Sequence, residues 1–242
     1  KPGDLKDLNL HKLQLKLANK LSECGKPIIL VLNIGRPRLI SEIEPFMSAV
    51  LNIYLPGNLG ADALVDIING KVNPSGKLPY TYPAFPNSLT TYYYKPSEVQ
   101  NNSQGAYNYV GKLNNLYEFG YGLSYTNFEY KDITIEDDSI GADDSLNISL
   151  TVYNSGDVDG QEVVQVYVSD LFASITPDNK RLRAFDKVFI KSGENKKVSF
   201  TIPVKDFSFV NLENKYVLES GDFTVHVGGN SIDLTSLNFF VR

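Results

Sequence analysis

The chain has almost none of the residues from which disulfide frameworks and small metal centres are built. Its 242 residues include one cysteine, Cys24, two histidines, His11 and His226, and no tryptophan. A single cysteine excludes an intrachain disulfide and a thiolate metal cluster. Two histidines far apart in sequence do not indicate a metal site or a Cys-His nucleophilic pair. Without tryptophan, tyrosine is the amphipathic ring left for stacking on a ligand.

Long apolar runs and basic blocks are also missing. No apolar run approaches the ~20 residues that cross a bilayer. The formal net charge is −5, and no basic block alternates with aromatic residues, so we expect neither a nucleic acid nor a membrane as partner. One cationic group is interpreted as a solvated face. It consists of Lys180, Arg181, Arg183 and Lys187.

The chain opens with Lys-Pro-Gly-Asp, without an initiator methionine or a signal-type apolar segment. This start predicts an internal fragment or a processed product. Leucines then recur at helical spacing, which predicts a first helix capped by Asp7 or Asn9 and ended by Gly25 and Pro27. Cys24, at the end of this helix, is expected to be a small buried residue. The leucines are Leu10, Leu13, Leu17 and Leu21.

Residues 27–34 and 49–55 are continuous apolar runs, and residues 60–69 have helical spacing. Continuous runs are typical of parallel strands that are buried on both faces. Two such strands need further strands and helices to cover their faces and edges. Residues 1–85 are therefore predicted to be the C-terminal part of a larger, three-layer α/β sandwich domain.

From residue 127 the hydrophobic period changes to two, and turn signals separate about seven short strands. This pattern predicts that residues 127–242 form an all-β sandwich of the fibronectin type III-like or immunoglobulin-like class. Residues 86–126 are predicted to be a long linker that packs between the domains. Its tyrosines are Tyr92, Tyr93, Tyr94, Tyr107 and Tyr109.

Candidate catalytic groups are numerous, but no spacing selects a pair. Arg36 follows the first strand, where it could contact a ligand or tie down a loop. The turn at residues 56–60 lacks the spacing of a phosphate-binding loop. Acid/base catalysis by carboxyl groups commonly needs two of them facing each other, and we interpret the carboxylates of this chain as solvated. They are Asp4, Asp7, Glu42, Glu44, Asp62, Asp66, Glu118 and Glu129.

Five segments, in order, carry a family resemblance that covers essentially the whole chain. Residues 116–130 resemble the F-G-Y-G-L-S-Y-T-x-F signature that leads into the fibronectin type III-like domain of glycoside hydrolase family 3, the β-glucosidase and β-xylosidase family. Residues 154–170 resemble that family's N-T-G-x-x-x-G-x-E-V-x-Q-L-Y pattern. The five are residues 32–37 (LNIGRP), 54–60 (YLPGNLG), 70–79 (GKVNPSGKLP), 116–130 (LYEFGYGLSYTNFEY) and 154–170 (NSGDVDGQEVVQVYVSD).

The resemblance implies an N-terminal (β/α)8 barrel that carries a nucleophilic Asp, an α/β sandwich domain that carries an acid/base Glu, and a supporting fibronectin-like domain. By analogy, residues 1–4 continue the loop that holds the acid/base. Neither catalytic carboxylate then maps onto this chain, and Leu59 stands where the family often has Glu. The resemblance thus implies no catalytic residue, no metal site and no cofactor here, with the substrate-binding residues unknown.

The leading hypothesis is the C-terminal portion of an exo-acting, retaining β-glucosidase whose partners are the remainder of the enzyme and a β-linked glucoside or oligosaccharide. The tyrosine-rich linker could line the pocket mouth or pack between domains. One alternative is a non-catalytic carbohydrate-binding or scaffolding fragment. The other is a β-xylosidase or N-acetylglucosaminidase of the same family. A periplasmic or secreted bacterial location is the accompanying expectation.

Overall fold

The structure is a computed structural model that describes residues 7–86, 88, 91–96 and 115–242. It divides into two compact units. The first comprises Lys1–Val72, Thr81–Thr90 and Leu113–Tyr117, and the second comprises Asn73–Tyr80, Thr91–Lys112 and Glu118–Arg242. The boundaries at residues 85 and 126 stay predictions.

The first unit has the predicted order of strands and helices. Helix α1 (Lys12–Ser22) precedes strand β1 (Ile29–Leu32), a 3-10 turn and strand β2 (Ala49–Asn52), which pairs with β1 in parallel. Helix α2 (Gly60–Ile68) follows. Strands β3 (Tyr82–Pro83) and β4 (Asn115–Tyr117) form a short antiparallel pair. A parallel strand pair with an α-helix before it and another after it confirms the α/β class of this unit.

Two local predictions for α1 are wrong. Its cap is His11 rather than Asp7 or Asn9, because the His11 ring accepts a hydrogen bond from the Leu13 amide while the Gln14 side chain accepts one from the His11 amide. This reciprocal arrangement satisfies two amides that a helix start leaves without partners. Cys24 is exposed rather than buried. It lies beyond the end of a helix that buries none of its own residues.

Several apolar side chains of the first unit remain exposed. Leu13 and Leu17 of α1 are 68% and 60% exposed, and Ile29 and Val31 of β1 are 43% and 36% exposed. Leu32, on the other face of β1, is only 4% exposed. The described residues therefore bury β1 on one face, whereas the continuous apolar run predicts burial on both.

The second unit contains the predicted β-sandwich. A three-stranded antiparallel sheet has the order β10-β7-β5, and a five-stranded sheet has the order β6-β14-β13-β8-β9. A further pair, β11 with β12, lies after β10. The strands are β5 (Phe128–Ile135), β6 (Ser139–Ile140), β7 (Ser145–Asn154), β8 (Gly160–Asp170), β9 (Arg181–Ile190), β10 (Asn195–Pro203), β11 (Phe209–Val210), β12 (Tyr216–Val217), β13 (Gly221–Gly228) and β14 (Leu234–Val241).

The core of the sandwich follows the period-two pattern of the sequence. Leu146, Ile148 and Val152 of β7 are at most 1% exposed, and Val164 and Val166 of β8 are fully buried. These side chains form one hydrophobic cluster with those of β10, β13 and β14. Neither α-helix in the described ranges has the length and apolar character needed to span a membrane.

Strand β8 departs from the alternation expected of a sheet with one solvated face. Gln165, Tyr167 and Ser169 lie between its core valines in sequence, yet all three are at most 6% exposed. Both faces of β8 are therefore covered. The segments that cover its second face define the candidate site.

Candidate functional site

The Gly-Tyr-Gly turn of the signature is bound to the arm, which we define as Asn73–Tyr80. The Gly120 amide donates to the Leu78 carbonyl oxygen, and the Leu78 amide donates to the Tyr121 carbonyl oxygen, both at 2.8 Å. Gly120 has a φ of +78°, which a residue with a Cβ adopts only at a cost. The first glycine of the signature is thus required by backbone conformation.

The second glycine of the signature permits a close approach between two backbones. A Cβ placed on Gly122 would lie 2.1 Å from the carbonyl oxygen of Gly76 in the arm. A Cβ on Gly76 would meet nothing within 4 Å. The contact therefore depends on Gly122 and not on its neighbour across the interface.

A buried ion pair joins the arm to the end of the sandwich core. Lys77 Nζ lies 3.4 Å from Glu162 Oε2, and their side chains are only 17% and 6% exposed. Lys77 also donates to the Gly122 carbonyl oxygen, at 3.0 Å. The Tyr130 hydroxyl of β5 donates to the other oxygen of Glu162, at 2.9 Å, and burial followed by the Glu162 charge raises the pKa of Tyr130. The carboxylate therefore has a partner on each oxygen.

The outer face of β8 is covered by aromatic rings and by the signature turn. Phe119 stacks on Tyr92 with ring centroids 4.3 Å apart, and both rings meet Tyr167 edge to face. The Tyr167 hydroxyl donates to the Gln165 Oε1 atom at 2.5 Å. The Gln165 amide nitrogen donates to the carbonyl oxygen of Gly229 at 2.6 Å. Burial raises the pKa of Tyr167, which keeps its hydroxyl a donor.

Lys77, Glu162 and Gln165 were not selected by the sequence analysis. Each nevertheless lies inside a segment that carries the family resemblance, Lys77 in residues 70–79 and the other two in residues 154–170. A polar residue in the middle of an alternating apolar strand was the available signal, because such a residue needs a buried partner.

The candidate carboxylates are dispersed rather than paired. Glu44 accepts a hydrogen bond from the Tyr117 hydroxyl at 2.8 Å, and Asp66 pairs with Lys71 at 3.0 Å. Glu129 is exposed, and its hydrogen bond with Lys131 lowers its pKa. The described residues contain no group of three or more His, Cys, Asp or Glu that could hold a metal.

The remaining candidates divide between exposed positions and the chain outside the described residues. Asp7, Arg36, Glu42 and Asp62 are exposed, Glu118 is half-buried, and Leu59, just before α2, is 75% exposed. Three further candidates lie outside the described residues. They are Asp4, with the rest of residues 1–4, Tyr107 and Tyr109.

The cationic group around β9 is not uniformly solvated, as the sequence analysis interpreted it. Arg181 and Lys187 are exposed, but Lys180 and Arg183 are half-buried, and burial lowers the pKa of both. Arg183 lies over the Phe207 ring, with its central carbon 5.9 Å from the ring centroid. The solvated-face interpretation is therefore wrong for these two residues, because both are half-buried and the Phe207 ring packs against Arg183.

His226, on β13, lies between Ser169 of β8 and Ser236 of β14. Ser169 Oγ is 2.8 Å from His226 Nε2 and already donates to the Asn179 carbonyl oxygen, so Nε2 carries the proton. Nδ1 then accepts from Ser236 Oγ, at 2.7 Å. Burial, and then the charge of Lys180, lower the pKa of His226 to about 4. This neutral imidazole has no carboxylate among its hydrogen-bond partners, so it does not form a Ser-His-Asp triad.

Comparison with known proteins gives the family. The model of the glycosyl hydrolase family 3 C-terminal domain matches residues 2–125, and the model of the fibronectin type III-like domain matches residues 162–231. Because the first model alone covers more than half of the chain, the chain belongs to glycoside hydrolase family 3. The α/β unit followed by a fibronectin-like sandwich confirms the fold class expected from the sequence.

Similar proteins include enzymes named for two sugars. The chain is 36% identical to a lysosomal β-glucosidase of Dictyostelium discoideum over 96% of its own length and 28% of the relative's. It is 36% identical to a β-xylosidase of Formosa agariphila, over 99% and 33%. A β-glucosidase of Listeria innocua, solved in complex with isofagomine, superposes with a TM-score of 0.91 at 33% identity, over 99% of this chain and 34% of that one. The chain thus spans about a third of the length of these relatives.

The close backbone approach generates a first prediction. We expect Gly122→Ala to separate the arm from the signature turn at a cost of about 2 kcal/mol, because the new methyl group would overlap the Gly76 carbonyl. Hydrogen exchange of the Leu78 amide, which is bonded to Tyr121, measures this. Gly76→Ala is the matched control and should leave the exchange rate unchanged. Equal protection of the Leu78 amide in both variants would contradict the assignment.

The buried ion pair generates a second prediction. Lys77→Met should destabilise the sandwich by about 3–5 kcal/mol, because it leaves Glu162 charged and buried with only the Tyr130 hydroxyl as partner. Adding Glu162→Gln to this variant should recover part of the loss. Calorimetric unfolding measures both. Lys215→Met removes an exposed pair with Glu213 and should cost less than about 1 kcal/mol. A Lys77→Met variant as stable as this control would refute the role of the pair.

His226 generates a third prediction. Its pKa of about 4 in the folded chain lies below the ordinary value of 6.5, so the unfolded chain binds the proton more readily. The stability that His226 contributes is then present above pH 6.5 and is lost as the pH falls toward 4. We expect the stability difference between the parent chain and His226→Gln to shrink over this range. An NMR titration that finds the imidazole protonated at pH 6 would contradict the structure.

Proposed function

We propose that this chain is the C-terminal portion of an exo-acting, retaining β-glucosidase that hydrolyses terminal, non-reducing β-D-glucosyl residues. The chain supplies a wall of the pocket and the support behind it. The nucleophilic and acid/base carboxylates lie in the remainder of the enzyme, which is the partner of this chain. In this mechanism a carboxylate attacks the anomeric carbon and water then releases the sugar from the covalent intermediate.

The observation that carries this proposal is the exposed apolar surface of the first unit. Ile29 and Val31 present one face of β1 to solvent, and Leu13 and Leu17 do the same on α1. A two-stranded parallel sheet with an uncovered apolar face is not stable by itself. Since the relatives are about three times as long, the remainder of the enzyme is the natural cover for this surface.

The placement of the carboxylates also supports a chain whose reacting groups lie in the remainder of the enzyme. A retaining glycosidase holds two carboxyl groups about 5 Å apart across the scissile bond. Glu44, Asp66 and Glu129 are instead engaged with Tyr117, Lys71 and Lys131 respectively. The buried Glu162 is engaged with Lys77 and Tyr130. Each of these four thus has a protein partner, and Glu162 has one on each of its oxygens.

A second candidate is a β-xylosidase of the same family. A relative of that name is as similar to this chain as the β-glucosidase is, at 36% identity. A xyloside lacks the hydroxymethyl group of a glucoside, so the two activities differ in the part of the pocket that surrounds this group. A comparison of kcat/KM for an aryl β-glucoside and the matching aryl β-xyloside distinguishes the two activities.

A chimera tests the proposal. The part of the solved bacterial relative that this chain does not match would be fused ahead of the chain and assayed with aryl β-glucosides and aryl β-xylosides. We expect hydrolysis by the chimera with retention of anomeric configuration, a higher kcat/KM for the glucoside, and no hydrolysis by the chain alone.

The control is the same chimera with the relative's catalytic aspartate replaced by alanine, which should fold and be inactive. Hydrolysis by the 242-residue chain alone would refute the claim that its reacting groups lie elsewhere. A folded chimera without any glycosidase activity would favour the scaffolding alternative.

A further inference from the structure

A concave surface lies on the fibronectin-like unit, on the side of β9 and β11–β12. It is a cleft of about 560 Å³, lined by the ends of β8 and β13, the 175–178 loop and the short hairpin of β11 and β12. Its lining contains three cationic side chains and two carboxylates. The cations are Lys95, Arg181 and Arg183, and the carboxylates are Asp170 and Asp178.

Two of the three cations are neutralised within the cleft wall. Asp178 accepts from Lys95 Nζ at 3.1 Å through one oxygen and from Arg181 Nε at 2.5 Å through the other. Asp170 accepts from the Phe172 amide, and burial raises its pKa. Asp178 is thus shared by two cations. Its charge and that of Asp206 also act on the Arg183 guanidinium, but neither carboxylate accepts a hydrogen bond from Arg183 Nε.

Arg183 carries an unsatisfied donor at the wall of the cleft. Its Nε atom is buried and has no hydrogen-bond partner among the residues that the structure describes. The Phe207 ring packs under the guanidinium and offers no acceptor for its N–H groups in the plane. A buried donor without an acceptor is costly, and a guanidinium is matched by a carboxylate that binds two of its N–H groups.

We propose that this cleft binds the carboxylate of a sugar acid, a uronic acid residue of a saccharide, with Arg183 as its anchor. The exposed Tyr216, at the rim, offers its ring to the apolar face of the sugar.

Three observations favour a saccharide carboxylate over a simple anion. Tyr216 is 81% exposed although it belongs to a paired strand, and Phe209, the neighbour of its strand partner Val210, also lines the cleft. Aromatic rings beside a charged planar group suit a ligand with both an apolar face and an anion. A volume of about 560 Å³ also exceeds what acetate or phosphate would fill.

This site does not depend on the proposed catalytic function. All of its lining residues lie in the second unit, and binding here requires no catalytic carboxylate. An inactive chimera that still binds uronate would refute the proposed activity and leave this site intact.

The test is calorimetric titration of the 242-residue chain with sodium glucuronate, a glucuronate-containing disaccharide, glucose and sodium acetate. We expect both glucuronates to bind at least about tenfold more tightly than glucose or acetate. Arg183→Gln should abolish this difference, and Arg183→Lys, which keeps the charge without the planar fork, should weaken binding by a smaller factor. Tyr216→Ala should weaken glucuronate binding without affecting acetate.

Lys187→Gln is the matched control, because it removes an exposed cation from the same strand, and it should bind glucuronate as the parent does. If Arg183→Gln fails to fold, Arg183→Lys and Tyr216→Ala carry the test. Equal binding of glucose and glucuronate, no binding of either, or glucuronate binding that survives Arg183→Gln would overturn the proposal. Binding by the chain that is lost in the chimera would also overturn it, by showing that a protein carboxylate covers Arg183.

Discussion

The ion pair between Lys77 and Glu162 is the contact that joins the arm to the sandwich within the second unit. Glu162 lies at the end of the sandwich core, where a charge without a partner would be costly. Lys77 supplies the opposite charge from a segment more than eighty residues earlier in the chain, and Tyr130 satisfies the second oxygen. The same lysine holds the Gly122 carbonyl, so that the signature turn, the arm and the two sheets meet at one carboxylate.

This arrangement explains why a glycine-rich aromatic segment precedes the sandwich. Gly120 permits a backbone conformation and Gly122 permits a close approach, so the turn can lie against the arm. Phe119 and Tyr92 then cover the outer face of β8, which would otherwise expose Tyr167. The fibronectin-like unit thereby incorporates the arm as part of its own structure.

The sequence predicted the parts of the fold that depend on local period. Continuous apolar runs indicated β1 and β2, helical spacing indicated α1 and α2, and alternation indicated the sandwich, all of which the structure contains. Local predictions failed where a side chain found a partner that spacing does not reveal. His11 caps α1 through its ring, Cys24 lies beyond the buried surface, and Arg183 is covered by a turn distant in sequence. The five motifs were sufficient for the family, because several separate segments agreed in order.

The amino-acid sequence by itself determined the two fold classes, the family and the exclusion of a disulfide within these 242 residues, since hydrophobic period, motif order and cysteine count are properties of the chain alone. Only the tertiary structure decided which polar residues are buried together. Lys77 with Glu162, Gln165 with the Gly229 carbonyl oxygen, and the serines on either side of His226 are contacts between segments distant along the chain or across strands. Their energies depend on desolvation and on distances of about 3 Å, and both are set by packing rather than by the order of residues.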